Sequence, residues 1–441
     1  MKNRKMNPMN HAMNKRRCCI AGLISIACLL ASSGILAYPL DGYEDTGIRR
    51  LEAIRLAHEG IIEGGKQPAG ALLSTEQVDL RLLDYPDLTL PAVNTELTSA
   101  VVGMLGEKAD VYSFALLDLS KPEQPAYAEH QGNHQQNVGS VGKLVSLLGL
   151  FQALADTWPD DLAKRTDVLK NTRVISDNFV ISDHHTVRLF DVETRTLVRR
   201  PMQIGDEGSL WEYLDWTLSV SSNSAASMFM REAMLLKHYG QAYPVSEEEI
   251  DSFLGKTPAF ELTRIFQQAF WEPVTRNGLD LNQIRQGSFF TAQGQKNISG
   301  GGKSYASARS LMQLMLYMEQ GKLVDPWSSQ QMKRLMYQTE RRIRYASSPK
   351  LNDAAVYFKS GSLFRCQPEE GFTCLPYQGN VINYMNSVAI IEQEIESTKL
   401  HYIIVVLSNI LRKNSAVEHQ ALGVDIHNLM RVRHGLPAMA P

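Results

Sequence analysis

Positions 137–143 read Asn-Val-Gly-Ser-Val-Gly-Lys, and the apolar run Leu144–Leu154 follows directly. This run is too long for an ordinary strand and predicts a buried helix. Ser140 and Lys143 stand three residues apart at the start of that helix, which places their Cβ atoms on one face about 5–6 Å apart. A serine hydroxyl attacks poorly unless a neighbour takes its proton, and a lysine can do so when burial and nearby cations keep its amine neutral. The stretch therefore predicts a nucleophile and its base at the start of a core helix.

Two further polar motifs follow the first one in the chain. Positions 221–223 read Ser-Ser-Asn just before the helix predicted at Ala225–Leu236, so a hydroxyl and an amide can point into a cleft from the start of that helix. Positions 359–362 read Lys-Ser-Gly-Ser and continue a predicted strand, where a glycine lets the backbone pass close to a ligand. The serine–lysine spacing alone is weak evidence, because positions 347–350 repeat it in a predicted turn. The order of the three motifs along the chain is the stronger indication of a shared site.

The predicted secondary structure places strands near both ends of a largely helical chain. A hairpin is predicted first, at Val111–Leu119 and Ala126–His130. Three strand candidates follow near the C-terminus, at Ala355–Phe364, Asn386–Gln393 and Leu400–Leu407. This pattern favours an α+β architecture with one antiparallel sheet.

Three local patterns have simple structural interpretations. Ser415 and Glu418 predict a capping box at the start of the last helix. The run Glu340–Arg344 predicts a charged surface turn. Positions 183–185 read Asp-His-His and predict a solvated loop rather than a metal site, because adjacent side chains rarely converge on one ion. None of these residues is therefore assigned to the reactive site.

In their order, the three polar motifs resemble the signature set of the penicillin-recognising serine hydrolases, the class A β-lactamases and penicillin-binding proteins. That set is S-x-x-K, S-x-N and K-[TS]-G. Residues 304–315 resemble the T-x-x-A-R-D-L helix start of this family, and residues 205–223 resemble its run into the second motif. The resemblance covers about residues 95–435. It implies an antiparallel five-stranded sheet flanked by helices, together with an all-helical subdomain.

The resemblance also implies catalytic roles at positions that match the motifs. Ser140 would be the acylated nucleophile and Lys143 its activating base. Ser221 would relay a proton to the leaving nitrogen. The backbone N–H groups of Ser140 and Ser362 would form the oxyanion hole.

Substrate-binding roles follow from the same resemblance. Asn223 would hold the side-chain amide of the substrate. Lys359 would supply positive charge, and Ser360 and Ser362 would receive the substrate carboxylate on either side of Gly361. The resemblance leaves the carboxylate-binding arginine unplaced, although Arg365 lies near the expected strand.

Glu272 is the candidate for the base that activates water during deacylation. Class A β-lactamases use a glutamate in a W-E-P-x-L-N-like context between the second and third motifs. Positions 271–273 read Trp-Glu-Pro, but the next four residues do not complete the pattern. The alternative is a surface glutamate beside a helix-breaking proline, in which case Lys143 and Ser221 would manage both half-reactions, as in a D-alanyl-peptidase.

The resemblance implies an exported serine hydrolase that acts through an acyl-serine intermediate. The first functional prediction is β-lactamase-like hydrolysis of β-lactam amides, of the class A type. A D-alanyl-D-alanine carboxypeptidase or transpeptidase, similar to the penicillin-binding proteins, is the alternative within the superfamily. A non-catalytic domain that binds cell-wall fragments is the alternative outside it. We expect a β-lactam or peptidoglycan-peptide substrate, no metal or other cofactor, and a monomer.

The N-terminus predicts export. Residues 1–37 hold six basic residues and no acidic ones, and the basic run precedes the apolar stretch Cys18–Leu36 and the small residue Ala37. This is typical of a secretory signal peptide that is cleaved near Ala37, which predicts a periplasmic or secreted protein. The alternative is an uncleaved membrane anchor, because about 19 residues can just span a bilayer. After cleavage we expect no stable membrane insertion.

The 441 residues divide, by prediction, into this signal peptide and two further parts. Residues 38–94 form an accessory helical leader, and residues 95–435 form the hydrolase domain with an insertion at about 157–207. The 45 basic and 47 acidic residues give a formal net charge of −2. Without a strongly basic stretch beyond the N-terminus, the sequence excludes the electrostatic footprint of a nucleic-acid-binding protein.

Cysteine usage agrees with an exported protein. Three of the five cysteines lie within the predicted signal peptide, so the mature chain keeps only Cys366 and Cys374. Two cysteines in an oxidising compartment are expected to form a disulfide. No cysteine spacing in the sequence resembles a zinc site.

Overall fold

The computed structural model describes residues 41–340 and 342–439, so the predicted signal peptide lies outside the described residues. In this part of the chain the strands are β1 (Tyr112–Asp118), β2 (Ala126–His130), β3 (Gln135–Gln136), β4 (Arg173–Ile175), β5 (Thr186–Asp191), β6 (Thr196–Pro201), β7 (Glu207–Ser209), β8 (Ile284–Arg285), β9 (Tyr305–Ser307), β10 (Ala355–Arg365), β11 (Ile382–Ile395) and β12 (Thr398–Asn409). The helices are α1 (Gly42–Thr46), α2 (Arg49–His58), α3 (Thr95–Leu105), α4 (Lys143–Thr157), α5 (Leu162–Asn171), α6 (Leu210–Ser219), α7 (Asn223–Tyr239), α8 (Glu247–Lys256), α9 (Ala259–Phe270), α10 (Glu272–Arg276), α11 (Ala292–Asn297), α12 (Ala308–Glu319), α13 (Pro326–Tyr337) and α14 (Ala416–Arg433).

A five-stranded antiparallel sheet organises the described residues, in the order β10-β11-β12-β1-β2. The predicted N-terminal hairpin forms β1 and β2, and the three predicted C-terminal strands form β10, β11 and β12. Shorter ribbons join β3, β9 and β8, then β4 and β7, then β5 and β6. The α+β prediction with a five-stranded antiparallel sheet is therefore confirmed.

The large sheet is buried on both faces. Along β1, Phe114 and Leu116 belong to the core that contains α14, whereas Ala115 and Leu117 belong to the core formed with the other helices. The alternation follows from the two-residue period of a strand. Burial of both faces explains why the strands appear in the sequence as nearly continuous apolar runs.

Helix α4 is the centre of the helical core. Every residue from Leu144 to Leu154 is buried, and the helix packs against α7 and α9. A helix that is apolar on all sides is stable only where protein surrounds it completely. The predicted buried helix is thus confirmed, and its first residue is Lys143.

Helix α14 begins at the expected place but without the predicted capping box. Ser415 is the N-cap residue, yet its side chain makes no capping hydrogen bond. Its buried hydroxyl lies 3.5 Å from the sulfur of Met385. Glu418 forms ion pairs with Lys413 and Lys108 instead. The prediction fails because Ser415 turns into the core and Glu418 has cationic partners nearby.

The N-terminal segment from residue 41 onward packs into the same core as the helices. Ile48, Leu51 and Ile54 of this segment belong to the core cluster. Arg50 is fully buried, and its Nε and Nη2 atoms lie 2.7 and 2.5 Å from the carboxylate oxygens of Asp215 in α6. This ion pair ties α2 to the helix that leads into the second polar motif.

The predicted insertion at 157–207 contains α5 and the hairpin of β5 and β6. Strand β6 is exposed along almost its whole length. Across the described residues, no helix has both the length and the apolar character needed to cross a bilayer.

The buried Arg50–Asp215 pair yields a stability prediction. In Asp215→Ala, the guanidinium stays buried without its carboxylate, so the free energy of unfolding should fall by about 3–5 kcal/mol. Urea denaturation followed by circular dichroism measures this loss. Glu59→Ala is the matched control, because it breaks the exposed Arg55–Glu59 pair and should cost less than about 1 kcal/mol. Similar losses in the two variants would contradict the prediction.

Candidate active site

Ser140 lies in a short 3-10 turn, Gly139–Gly142, that runs directly into α4. Strand β10 passes against this turn with almost no space between the two backbones. A Cβ atom on Gly361 would lie 2.0 Å from the carbonyl oxygen of Val138 and 2.9 Å from the nitrogen of Ser140. Gly139 has φ +55°, and a Cβ there would lie 2.8 Å from the nitrogen of Ser362. Glycine at both positions brings Ser140 next to the third motif.

The side chain of Lys143 reaches both of the other motif serines. Its Nζ atom lies 3.1 Å from Ser140 Oγ and 3.3 Å from Ser221 Oγ, and it donates to Asn223 Oδ1 at 2.8 Å. Burial lowers the pKa of Lys143 to about 7, although the negative charge of Asp183 opposes this shift. A substantial share of the amine is therefore neutral at physiological pH and can accept the proton of Ser140.

The hydroxyl of Ser221 connects Lys143 to a second buried amine. Lys359 Nζ lies 2.8 Å from Ser221 Oγ and donates to the carbonyl oxygen of Ser360 at 2.8 Å. Burial lowers the pKa of Lys359 well below its usual range, and the positive charges of Lys143 and Arg344 lower it further. A continuous path thus runs from Ser140 through Lys143 and Ser221 to Lys359, along which a proton can move.

A cavity of about 310 Å³ opens over this cluster. Its lining includes Ser140 and Ser221 together with the third motif, residues 359–362. Lys143 and Asn223 connect to it through their hydrogen bonds with each other and with the two serines. The structure therefore brings together all the predicted site residues of the three motifs.

The position of Asp183 was not expected from the sequence. Its carboxylate accepts hydrogen bonds from Ser222 Oγ at 3.0 Å, from the N–H groups of Asn223 and Ser224 at 2.8 and 2.9 Å, and contacts His185 Nδ1 at 2.6 Å. Burial raises its pKa, but the hydrogen bonds and charge of His185 and the backbone N–H groups outweigh this effect and hold the pKa well below its usual range. The solvated-loop prediction is wrong for Asp183, which is an anionic anchor at the N-terminus of α7.

Arg344 is a second residue that sequence reasoning missed. The predicted surface turn at 340–344 is wrong, because Glu340 and Arg344 are both buried. Arg344 has φ +54°, and its Nη1 donates to the carbonyl oxygen of Gly361 at 2.6 Å. Burial lowers its pKa to about 10. Arg365, which the sequence placed near the expected strand, is exposed at the end of β10 and does not line the cavity.

A comparison with protein-family models identifies the wider relationship. The model described as the beta-lactamase enzyme family matches residues 96–409. The chain belongs to this family. The match spans all three motifs and confirms the resemblance to the superfamily of serine β-lactamases and penicillin-binding proteins.

Several solved structures are similar to this chain at low sequence identity. PBP-A is 15% identical, with a TM-score of 0.48 over 79% of this chain and 100% of that chain. A mutant of PBP-A in an acyl-enzyme complex with penicillin G is 14% identical, with a TM-score of 0.49 over the same shares. A β-lactamase from Sphaerobacter thermophilus is 12% identical, with a TM-score of 0.47 over 76% of this chain and 96% of that one. No curated protein matches the chain by sequence.

Glu272 does not join the site of this β-lactamase-family chain. It is exposed at the start of α10. The same helix is anchored by the ion pair of Arg276 with Asp156, which lies thirteen residues after Lys143 in α4. At 1.5 Å per residue, this contact is about 20 Å along the helix from Lys143. The prediction of Glu272 as the deacylation base is therefore not supported by its position, because the side chain is exposed and makes no hydrogen bond with Ser140 or Lys143.

Neutral side chains cover the start of α4 instead. The ring of Phe290 lies 4.9 Å from Lys143 Nζ, and a Cβ on Gly142 would lie 2.3 Å from Gln286 Oε1. Within residues 41–340 and 342–439, no carboxylate forms a hydrogen bond or an ion pair with Lys143 or Ser140. The site as described thus contains a base for the serine but no separate carboxylate base for water.

The predicted disulfide is present. Cys366 and Cys374 are joined in the segment that follows β10. Beyond the disulfide, Tyr377 lines the cavity, and its ring packs against Phe364 with ring centroids 5.9 Å apart. The disulfide therefore closes a loop beside the third motif.

A cluster of possible metal ligands lies outside the site. One ligand atom each from Glu319, Glu392 and His401 lies within 4.8 Å of the others. The Nζ atom of Lys333 sits 2.6 Å from Glu319 and 2.5 Å from Glu392. An ammonium group thus already supplies the positive charge that a metal ion would provide.

Proposed function

We propose that this protein is an exported serine peptidase of the penicillin-binding type, which acts on D-alanyl-type amides and forms a long-lived acyl-serine with β-lactams. The observation that carries the proposal is the contact of 3.1 Å between Ser140 Oγ and the buried amine of Lys143. A lysine with a pKa of about 7 is suited to general-base catalysis near neutral pH.

The proposed reaction begins when Ser140 Oγ attacks the amide carbonyl and gives its proton to Lys143. The backbone N–H groups of Ser140 and Ser362 stabilise the oxyanion. Ser221, which contacts both lysine amines, passes the proton to the leaving nitrogen, and the C–N bond breaks. Water or an acceptor amine then attacks the acyl carbon and gives a proton to Lys143. The ester C–O bond breaks, and that proton passes to Ser140 Oγ.

The substrate is held by the two remaining motifs in this proposal. Asn223 binds the amide of the acyl side chain, and its Oδ1 is already oriented by Lys143 at 2.8 Å. The substrate carboxylate binds at Lys359, Ser360 and Ser362, where the arriving negative charge favours the protonated form of the buried Lys359 amine.

Slow deacylation distinguishes this proposal from class A hydrolysis. Class A enzymes need a carboxylate near the nucleophile, but Glu272 is exposed, and Phe290 and Gln286 cover the start of α4. β-Lactamase-like turnover is the second candidate, because the neutral amine of Lys143 can itself activate water after acylation. The two candidates differ in the lifetime of the acyl-enzyme.

Time-resolved intact mass spectrometry with a penicillin tests the proposal. The wild-type protein should gain one penicillin mass and keep it for many minutes, whereas Ser140→Ala should gain none. The thermal midpoint of Ser140→Ala should stay within a few degrees of the wild type, because such a substitution costs about 0.5–2 kcal/mol. Glu272→Gln is the matched control and should form the same adduct with the same lifetime.

The other outcomes of this experiment are equally informative. An adduct that disappears within seconds would favour the β-lactamase-like candidate. Failure of the wild-type protein to form any adduct would favour the non-catalytic binding domain. An adduct on Ser140→Ala would show that another residue is the nucleophile.

The pH dependence of acylation tests the role of Lys143. The pKa of Lys143 is lowered to about 7, so the amine is protonated below that pH and cannot accept the serine proton. The acylation rate should therefore fall about tenfold for each pH unit below 7 and level off above it. Stopped-flow acylation by a chromogenic cephalosporin between pH 5 and 9 measures this profile. A flat profile would exclude Lys143 as the base.

Export is part of the proposal and has its own test. The basic and apolar residues 1–37 support a cleaved signal peptide, and the Cys366–Cys374 disulfide suits an oxidising compartment. Protein recovered from the periplasm or culture medium of an expressing bacterium should begin at Tyr38 by intact mass. Full-length protein in the membrane fraction would instead support the uncleaved anchor.

A further inference from the structure

The insertion supplies part of the wall of the active-site cavity. His184 and His185 precede the exposed hairpin, and Thr186 and Arg199 come from its strands β5 and β6. All four residues line the same cavity as Ser140. The hairpin therefore takes part in forming the space in which a substrate would lie.

The lining of this cavity is rich in basic side chains. It contains the guanidinium groups of Arg344 and Arg199 and the amine of Lys359, and no aspartate or glutamate of the described residues lines it. Lys359 and Arg344 contact hydroxyl or backbone carbonyl oxygens rather than carboxylates. A cleft lined by charge of one sign raises the local concentration of oppositely charged ligands. The cavity is thus suited to a ligand with more than one negative charge.

One part of the cavity lies beside the groups that would handle the leaving group. It is lined by the turn at residues 218–221, which ends in Ser221, and by Lys359. Under the proposed function, Ser221 protonates the leaving nitrogen. Asn223, which would hold the acyl side chain, does not line the cavity. The negative charges that the cavity favours therefore belong to the group that is expelled.

Arg199 is the cation that the proposed mechanism does not use. Its Nε atom donates to Thr186 Oγ1 at 3.0 Å, which orients the guanidinium across the hairpin. Among the described residues, no acidic side chain pairs with Arg199, and no hydrogen bond engages its two Nη atoms. A guanidinium presented in this way matches a carboxylate with two parallel hydrogen bonds.

We propose that Arg199 forms a second anion subsite, so that the preferred leaving group carries a carboxylate in addition to the one bound at Lys359, Ser360 and Ser362. This inference rests on the proposed function and specifies its substrate class, a D-alanyl amide whose leaving group is an acidic amino acid. In the reaction, the acyl carbon gains a bond to Ser140 Oγ and loses its bond to the leaving nitrogen. The proton of Ser140 ends on that nitrogen.

Two synthetic thioesters test the subsite directly. Both carry an N-acyl-D-alanyl group, but one releases mercaptoacetate, with one carboxylate, and the other releases mercaptosuccinate, with two. The acyl carbon here exchanges a C–S bond for the bond to Ser140, and the released thiol is measured with a chromogenic disulfide. The wild-type protein should favour the mercaptosuccinate ester in kcat/KM by about tenfold, as expected for one charge-assisted contact.

Substitutions on the hairpin attribute this preference to a single residue. Arg199→Gln should reduce the preference to less than about twofold, because it should lower kcat/KM for the mercaptosuccinate ester more than for the mercaptoacetate ester. Arg199→Lys should retain part of the preference, because the charge remains but the two-pronged geometry is lost. Arg195→Gln makes the same charge change outside the cavity, and this matched control should keep the full preference.

The failures of the two proposals are distinguishable. A wild-type protein that is acylated by both thioesters without preference would overturn the second subsite alone. The subsite would also be overturned if Arg199→Gln lowered both kcat/KM values equally, or if the preference survived in that variant. Failure of both thioesters to acylate Ser140, as judged by intact mass, would overturn the proposed function and the subsite with it.

Discussion

The burial of the Lys143 amine is the constraint on which the rest of the site depends. A charged amine inside an apolar core is costly, so it either loses its proton or finds several oxygen partners. This site does both, because the pKa falls to about 7 while three oxygen-bearing residues surround Nζ. Those residues come from two separate motifs. Once α4 is packed on all sides, the positions of Ser140, Ser221 and Asn223 follow from the need to accommodate one amine.

The sheet positions the third motif next to the Lys143 cluster. Strand β10 must lie against the turn before α4, and only residues without a side chain permit that approach at Gly139 and Gly361. The approach brings Lys359 to within 2.8 Å of Ser221. Two amines therefore share one hydroxyl, and burial together with the nearby charge of Lys143 lowers the pKa of Lys359. The reactivity of the cluster thus depends on a backbone contact as much as on its side chains.

Sequence patterns predicted the parts of this arrangement that local geometry controls. The helical spacing of Ser140 and Lys143, and the strand that carries Lys359, are set by residues close in the chain, and both appear as expected. Asp183 and Arg344 were missed, because the burial of each depends on elements far away in sequence. Glu272 illustrates the reverse error. Its local sequence resembled a known motif, but the packing of α10 decided where the side chain would lie.

The anchor formed by Asp183 has a consequence for how the insertion can vary. The loop before the hairpin holds the N-terminus of α7 through three hydrogen bonds to the Asp183 carboxylate, whereas the hairpin itself projects with its second strand exposed. The loop around Asp183 is therefore fixed by its contacts with α7, whereas the end of the hairpin is free to vary. Loop grafting at the turn between β5 and β6, residues 192–195, can change the end of the hairpin without disturbing the reactive groups, because Val187 and Phe190 of β5 are buried and this turn is largely exposed. Deleting the loop around Asp183 would remove the hydrogen bonds that hold the N-terminus of α7, the helix that carries Asn223.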